Sequence, residues 1–472
     1  MPTLTVTSPM PVPRQALFAW HERPGAFDRL LPPWVRAELL ESSGGIRDGA
    51  RLRFRIRRGP FALTWDARHS HYHEGHAFTD TMASGPFRSW SHTHRTLDAK
   101  DPASSILRDE VTFSLPGGSL AWHAAAPILR PDLTRMFTFR HLRTRADLAL
   151  LSTLDRALNR PARIGVSGVG GVIGGALASL LRAGGHDVLR LVRRRANPGE
   201  STLAVGAGHG QVDREPLERL DAIVHLGGEP IASGRWTAAK RDAVRASRVE
   251  STRALAGVIA SLAHPPRVLV VASGIGLYGD RGEDELTEDA GIGSGFFAEV
   301  ARDWEAAAEP ARAAGVRVVH LRLGVVLSRT GGALGATRRL FALGLGVVPG
   351  SGRQWWSWIG LDDALGVILH AIATPDLAGA VNAVAPAPTR ARDFARTLAR
   401  VLDRPLAARL PAWALRLLAG ERGDTILWST RCVPAKLRAT GYRFLEPDLD
   451  GALRRELALA DPAAHAIDIA WS

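Results

Sequence analysis

Three sets of residues in this sequence could do chemistry. The first is "SGVGGVIG", Ser167 to Gly174, where Gly168, Gly171 and Gly174 recur at three-residue spacing after an apolar segment and before an amphipathic one. Small residues there open a tight turn, let the backbone approach a ligand and let the next helix lie close to its strand. The helix start then offers N–H groups and a partial positive charge to a diphosphate. Ser167, Gly168, Gly171, Val172, Ile173 and Gly174 are therefore candidate dinucleotide-binding residues. The chain has 48 glycines, so the strand, turn and helix context carries this reading rather than the spacing alone.

The second set is Arg193 and Arg194, closing the next apolar segment "VLRLVRRR". An acidic residue at that place would receive a ribose 2′-hydroxyl, whereas a guanidinium suits a 2′-phosphate. NADP is favoured over NAD, against the plainer reading that an Arg-rich chain puts Arg at any exposed strand end. The third set is histidine: His69, His71 and His73 alternate, and His92 with His94 repeats the spacing, so each group shares a face if it lies on a strand. Metal binding needs such convergence. Exposed strand positions are the expectation, and no metal is expected. The single cysteine, Cys432, has no metal-ligand pattern around it and reads as a buried structural thiol.

The elements that must position these groups fall into three stretches. At 472 residues the chain exceeds what one core holds, so several domains are expected. Residues 1–156 show period-two segments such as "ARLRFRIRR" and "LTWDARHSHYH", which predict antiparallel strands, and then helical spacing of Leu148, Leu151, Leu154 and Leu158. Residues 163–400 alternate strand, glycine turn and helix, the pattern of a doubly wound parallel α/β sheet of Rossmann type. Residues 401–472 are mostly helical in pattern and predict a small C-terminal subdomain.

The net charge of +13 comes almost wholly from scattered Arg, which reflects codon composition rather than a nucleic-acid surface. No apolar run reaches the roughly 20 residues of a membrane span, and the N-terminal residues lack a basic stretch followed by an apolar core, so no signal peptide is expected. A cytoplasmic protein without nucleic-acid or membrane partners is expected; the composition leaves its oligomeric state open.

Five segments are distinctive: "HLGGEPIASGRWTAAKRDAVRASRVESTRAL" (His225 to Leu255), "ASGIGLYGDRGEDELTED" (Ala272 to Asp289), "FFAEVARDWEAAA" (Phe296 to Ala308), "LRLGVVLS" (Leu321 to Ser328) and "GSGRQWWSWIGLDD" (Gly350 to Asp363). With the glycine loop they resemble the atypical extended short-chain dehydrogenases known as epimerase-family proteins, from Arg163 to Glu456. The tail "LPAWALRLLAGERGDTIL" (Leu410 to Leu427) resembles that family's small C-terminal domain. The resemblance implies an NADP-dependent oxidoreductase or epimerase-like enzyme acting on a small molecule, with Leu226, Gly227, Gly228, Ala272 and Ser273 also lining the cofactor. The N-terminal stretch, through "SGPFRSWSHTHRTL" (Ser84 to Leu97), resembles the α+β helix-grip superfamily called SRPBCC or START-like. That likeness implies a curved sheet around a long helix, holding an apolar ligand.

Extended dehydrogenases use a Ser with a Tyr and a Lys one helical turn apart; the Lys lowers the Tyr pKa so that the phenol moves a proton while hydride moves. Ser273 keeps the serine place, but Phe297 and Ala301 stand where Tyr and Lys are expected. Ser273, Tyr278 and Glu299 are the remaining candidates for proton work. Each has a plainer reading: a turn hydroxyl, a packed ring and an exposed helix carboxylate. Nucleotide-sugar epimerases usually carry a diphosphate-pairing Arg where Trp356 stands here. Trp355, Trp356 and Trp358 could form an apolar mouth for a flat substrate or pack against the helical region, and the sequence leaves both open. Asp362 and Asp363 read as the N-terminal cap of the next helix. If the missing Tyr and Lys mean lost chemistry, the chain is instead a non-catalytic dinucleotide-binding regulator or scaffold.

Overall fold

The computed structural model describes residues 1–58, 61–192, 201–204, 211–231, 234, 236–420 and 422–472. It divides into two compact units: Met1–Ser152 with Ser179–Gly185 and Ala458–Ser472, and Thr153–Ala178 with His186–Leu457.

In the first unit, β1 (Thr3–Met10) leads into helices α1 (Arg14–Glu22) and α2 (Ala26–Leu30). Six strands follow: β2 (Arg36–Ser43), β3 (Arg51–Arg58), β4 (Phe61–His73), β5 (Ala77–Ser84), β6 (Ser89–Asp98) and β7 (Ser105–Ser114). The helix α3 (Gly118–Leu158) comes next and is much longer than its leucine spacing suggested. The sheet is antiparallel, in the order β2-β3-β4-β5-β6-β7-β1, and the last strand of the chain, Asp468–Trp471, pairs with β1. Strand alternation puts Leu4, Val6, Trp90, Val111 and Phe113 on one face, where they pack with Leu133, Phe137 and Leu142 of α3. A two-pronged ion pair from Arg29 to Asp147, at 2.7 and 2.5 Å, ties α2 to α3. Residues Ala458–Ser472, the last part of the expected C-terminal domain of residues 401–472, therefore pack with this unit.

The histidines depart from expectation. A register shift between Ser70 and His73, with His71 at φ 52°, breaks the alternation of β4, so His71 and His73 are exposed while His69 turns inward. His92 and His94 are 1% and 4% exposed; they are core residues, not surface ones.

In the second unit, β8 (Arg163–Ser167) runs through the glycine turn into α4 (Val172–Ala183). Next come β9 (Asp187–Val192), β10 (Ser201–Ala204), β11 (Gln211–Val212), β12 (Ala222–His225), α5 (Ala238–Ala260), β13 (Val268–Gly274) and α6 (Phe296–Ala306). The sheet order is β11-β10-β9-β8-β12-β13, then Arg317–Leu323 and Gly379–Ala383; all pairs are parallel except β10 with β11. Because the order reverses beside β8, a crevice opens at the carboxyl ends of β8 and β12, where α/β sheets hold their ligands. Ile223, Leu269 and Val271 of the sheet pack with Val249, Leu255 and Ile259 of α5 and with Trp304 of α6. Short helices fill most of 391–457. Among the described residues no helix is long and apolar enough to cross a membrane.

Candidate functional site

At two positions of the glycine turn, Gly168 and Gly174, the backbone approaches so closely that only glycine fits. Gly168 has φ 74°, and a Cβ there would lie 2.8 Å from the Leu226 carbonyl; at Gly174 it would lie 2.3 Å from the Gly168 oxygen. Gly170 and Gly171 stay exposed at the rim, immediately before the first turn of α4, which starts at Val172 and Ile173. The turn thus has the form of a diphosphate cradle. Ser167 serves it from within. Its Oγ accepts the N–H groups of Leu226 and Gly227 at 3.1 and 3.2 Å and lies 2.7 Å from His225 Nδ1. His225 Nε2 is 3.1 Å from Ser251 Oγ, which gives its own proton to the Ser247 carbonyl at 2.6 Å. That chain of acceptors assigns the His225 proton to Nε2 and makes Nδ1 the acceptor from Ser167. Burial lowers His225 to about 4, so the ring is neutral at neutral pH.

Beside the crevice, a Cβ on Gly228 would sit 3.2 Å from the Arg248 guanidinium, which donates to the Glu229 carbonyl at 3.0 Å and lies over the Trp304 ring. Burial lowers Arg248 to about 10, which leaves it charged. Sequence reasoning missed Arg248 and His225 because their partners lie in other elements. Arg193 and Arg194 lie outside the described residues.

At the end of β13, Ala272 is buried and Ser273 is 4% exposed. Ser273 Oγ donates to Glu305 Oε1. Arg322, its register partner on the neighbouring strand, grips both Glu305 oxygens and donates to the Tyr278 hydroxyl at 2.8 Å. Burial opposes the Arg322 charge, but Glu305 outweighs it and holds the guanidinium above its ordinary range. Tyr278 is 0% exposed, and its hydroxyl donates to Asn382 Oδ1 at 2.7 Å and faces the Thr287 carbonyl at 3.1 Å. Burial, partly offset by Arg322, pushes this phenol up to about 12. The ring is placed inside the fold rather than in the crevice.

The helix α6 carries Phe297 and Ala301, and Glu299 on its exposed face. Phe297 stacks on Trp236 with ring centres 5.5 Å apart, touches Phe296, and meets Trp428 edge-on. Trp236 and Trp428 come from distant segments, and no sequence signal connected them. The three tryptophans of "WWSW" are not gathered into one mouth. Trp355 lies between Arg390 and Arg431 and donates to Glu283; Trp356 packs on Phe394 and donates to the Ile426 carbonyl; Trp358 is 1% exposed. Asp362 and Asp363 are not caps of their own helix, whose N-cap is Gly360. Asp362 pairs with Arg455, and Asp363 accepts from the Leu445 and Glu446 amides and the Tyr442 hydroxyl. Cys432 is buried, and burial pushes its thiol up to about 12.

This geometry agrees with what the chain resembles. Residues 164–384 match the model described as the NAD dependent epimerase/dehydratase family, and residues 410–456 match a domain of unknown function, DUF1731. The epimerase family protein Mb2239 of Mycobacterium bovis is 39% identical over 62% of this chain and 96% of its own length. The bovine epimerase family protein SDR39U1 is 38% identical over 63% of this chain and all of its own. Among solved structures, one described as the nucleoside-diphosphate sugar epimerase from Corynebacterium glutamicum superposes with a TM-score of 0.78 at 32% identity, covering 98% of this chain and 92% of that one. The human SDR39U1 structure with NADPH gives a TM-score of 0.57 at 34% identity, over 63% of this chain and 99% of that one.

Proposed function

The chain belongs to the epimerase family of NAD(P)-binding proteins, and from that premise we propose that it is an NADP-dependent oxidoreductase or epimerase-like enzyme acting on a small molecule. The observation that carries this reading is the strand, glycine turn and helix at Ser167 to Gly174, where backbone contacts at Gly168 and Gly174 admit no side chain and the exposed Gly170 and Gly171 stand before the first turn of α4. The preference for NADP is supported by Arg193 and Arg194 in the sequence and by the NADPH of the human relative's structure.

Bound NADP would supply the hydride exchange. The chain's own contribution to proton movement centres on Ser273. Its hydroxyl is already bonded to an anionic acceptor, so a substrate hydroxyl can pass a proton to Ser273 Oγ as the Ser273 proton passes to Glu305 Oε1. Arg322 holds and aims the Glu305 carboxylate through both of its oxygens. Tyr278 acts as a positioning residue through Arg322, and Glu299 is left a solvent-facing carboxylate. Trp236, Phe296, Phe297 and Trp428 offer an apolar, aromatic surface next to Gly276, which favours a substrate with a flat or apolar part. The N-terminal unit is read as a helix-grip module for an apolar ligand, supported by the aromatic cluster of Trp65, Phe87, Trp90 and Phe113 packed with α3 residues.

A second reading rests on Phe297 and Ala301: with no Tyr and Lys on α6, the protein binds the dinucleotide and regulates. Calorimetry with NADPH and NADH tests the shared premise, and binding of neither defeats both readings. A metabolite screen followed at the reduced-nicotinamide absorbance separates them, because the enzyme must turn over at least one compound and the regulator none.

A further inference from the structure

The register of β4 to β7 sets two rows of side chains on the sheet face that α3 covers. His69, Asp80 and His92 stand opposite one another on β4, β5 and β6; two residues along, Phe78, His94 and Asp109 do the same on β5, β6 and β7. Imidazoles and carboxylates buried this deeply are costly unless something specific is gained from them.

The His92 and His94 rings, 3.9 Å apart centre to centre, lie between the two carboxylates. On one side, Asp80 Oδ2 is 3.1 Å from His92 Nδ1 and 3.5 Å from His94 Nε2. On the other, Asp109 Oδ1 is 3.5 Å from His92 Nε2 and 2.8 Å from His94 Nδ1. Those last three atoms are buried and unsatisfied, close together but outside hydrogen-bonding geometry. Asp109 is anchored from behind: its Oδ2 lies 3.2 Å from His141 Nε2 on α3, and His141 Nδ1 lies 2.6 Å from Ser8 Oγ on β1.

We infer that Asp80, His92 and His94 form a binding site for a divalent transition-metal ion of the zinc class, with Asp109 as the carboxylate that orients both imidazoles. One donor atom from each of the three lies within 4.8 Å of the others. A tetrahedral ion about 2.1 Å from each donor spaces the donors about 3.4 Å apart, and the Asp80 separations of 3.1 and 3.5 Å match. Two imidazoles and a carboxylate suit zinc, cobalt or ferrous iron rather than calcium or magnesium. Metal-ligating histidines direct their second ring nitrogen at a carboxylate, which is where Asp109 stands. A doubly charged ion also balances the two carboxylates. Three protein donors leave a coordination position for water or a ligand atom on the side where Asp80 keeps its 19% side-chain exposure. His69 and His21 border the site without joining the set.

The test uses the full chain, stripped with a chelator and titrated with Zn²⁺ by calorimetry and with Co²⁺ by visible absorption. One ion per chain, Co²⁺ ligand-field bands and a chelator-sensitive Tm are expected. Asp80→Asn should weaken Zn²⁺ binding at least a hundredfold and Asp109→Asn ten- to a hundredfold, whereas the exposed His71→Ala should bind as the native chain does. Should a variant not fold, NMR of ¹⁵N-histidine in the native protein decides the matter, since Zn²⁺ must shift the ring nitrogens of His92 and His94. Lack of saturable uptake, undiminished binding by folded Asp80→Asn, or ring signals of a protonated pair unmoved by Zn²⁺ would overturn the site.

Discussion

Ser273 Oγ on β13 donates to Glu305 Oε1 on α6 at 2.8 Å, and Arg322 holds the same carboxylate at 2.9 and 3.0 Å. The serine therefore stands at the carboxyl end of β13 with its hydroxyl on a fixed carboxylate. Ser273→Ala should lower kcat ten- to a hundredfold for any compound the enzyme turns over, with little loss of stability. Glu305→Gln should cost about 3 kcal/mol, because it leaves the Arg322 charge buried without its partner. Turnover and urea denaturation of the two variants check this; unaltered kcat in Ser273→Ala defeats the relay.

Tyr278→Phe separates positioning from catalysis. The hydroxyl is fully buried between Arg322, Asn382 and the Thr287 carbonyl, so its removal should cost about 1–3 kcal/mol in a denaturant titration. NADPH affinity should be unchanged. A thousandfold fall in kcat at native stability would instead make the phenol catalytic.

Replacing Arg193 and Arg194 together by Ser should weaken NADPH binding ten- to a hundredfold and leave NADH binding nearly as it was. Calorimetry with both nucleotides reads the difference, and equal losses would remove the 2′-phosphate assignment.

His225 supports the glycine turn as a neutral ring, with its pKa lowered from 6.5 to about 4. A depressed folded-state value means that its contribution is fully present above pH 6.5 and is lost as pH falls through 4, a span worth roughly 3 kcal/mol. Between those pH values, native stability should fall more steeply than that of His225→Gln, and NADPH affinity should fall with it. Parallel pH profiles for the two proteins would show that the ring titrates without consequence.

Trp236→Ala removes the ring that stacks on Phe297. If this aromatic surface holds substrate, KM should rise about tenfold with kcat nearly constant. An effect on kcat alone would count against a substrate-holding surface here.

Much of this was legible in advance because it is local. Gly168 and Gly174 are separated by one turn and part of another, and strand, turn and helix constrain each other within a few residues; the same holds for the period-two strands of the first unit. The fate of the polar candidates was not. Glu305 was an unremarked carboxylate until α6 brought it to Ser273, and Tyr278 was a candidate acid until the fold turned it inward against Arg322. The "WWSW" tryptophans read as one feature, yet alternation and the surrounding helices sent them to three different environments.

By itself, then, the sequence determined the two sheet types, the strand, glycine turn and helix at Ser167 to Gly174 and the lack of a Tyr and Lys pair on α6, since each depends on residue type at short spacing. Only the tertiary structure decided which distant groups meet. A one-residue shift of register turns a side chain to the other face of a sheet. The irregularity after Ser70 therefore left His71 and His73 in solvent, while cross-strand pairing carried Asp80, His92, His94 and Asp109 into a single buried cluster.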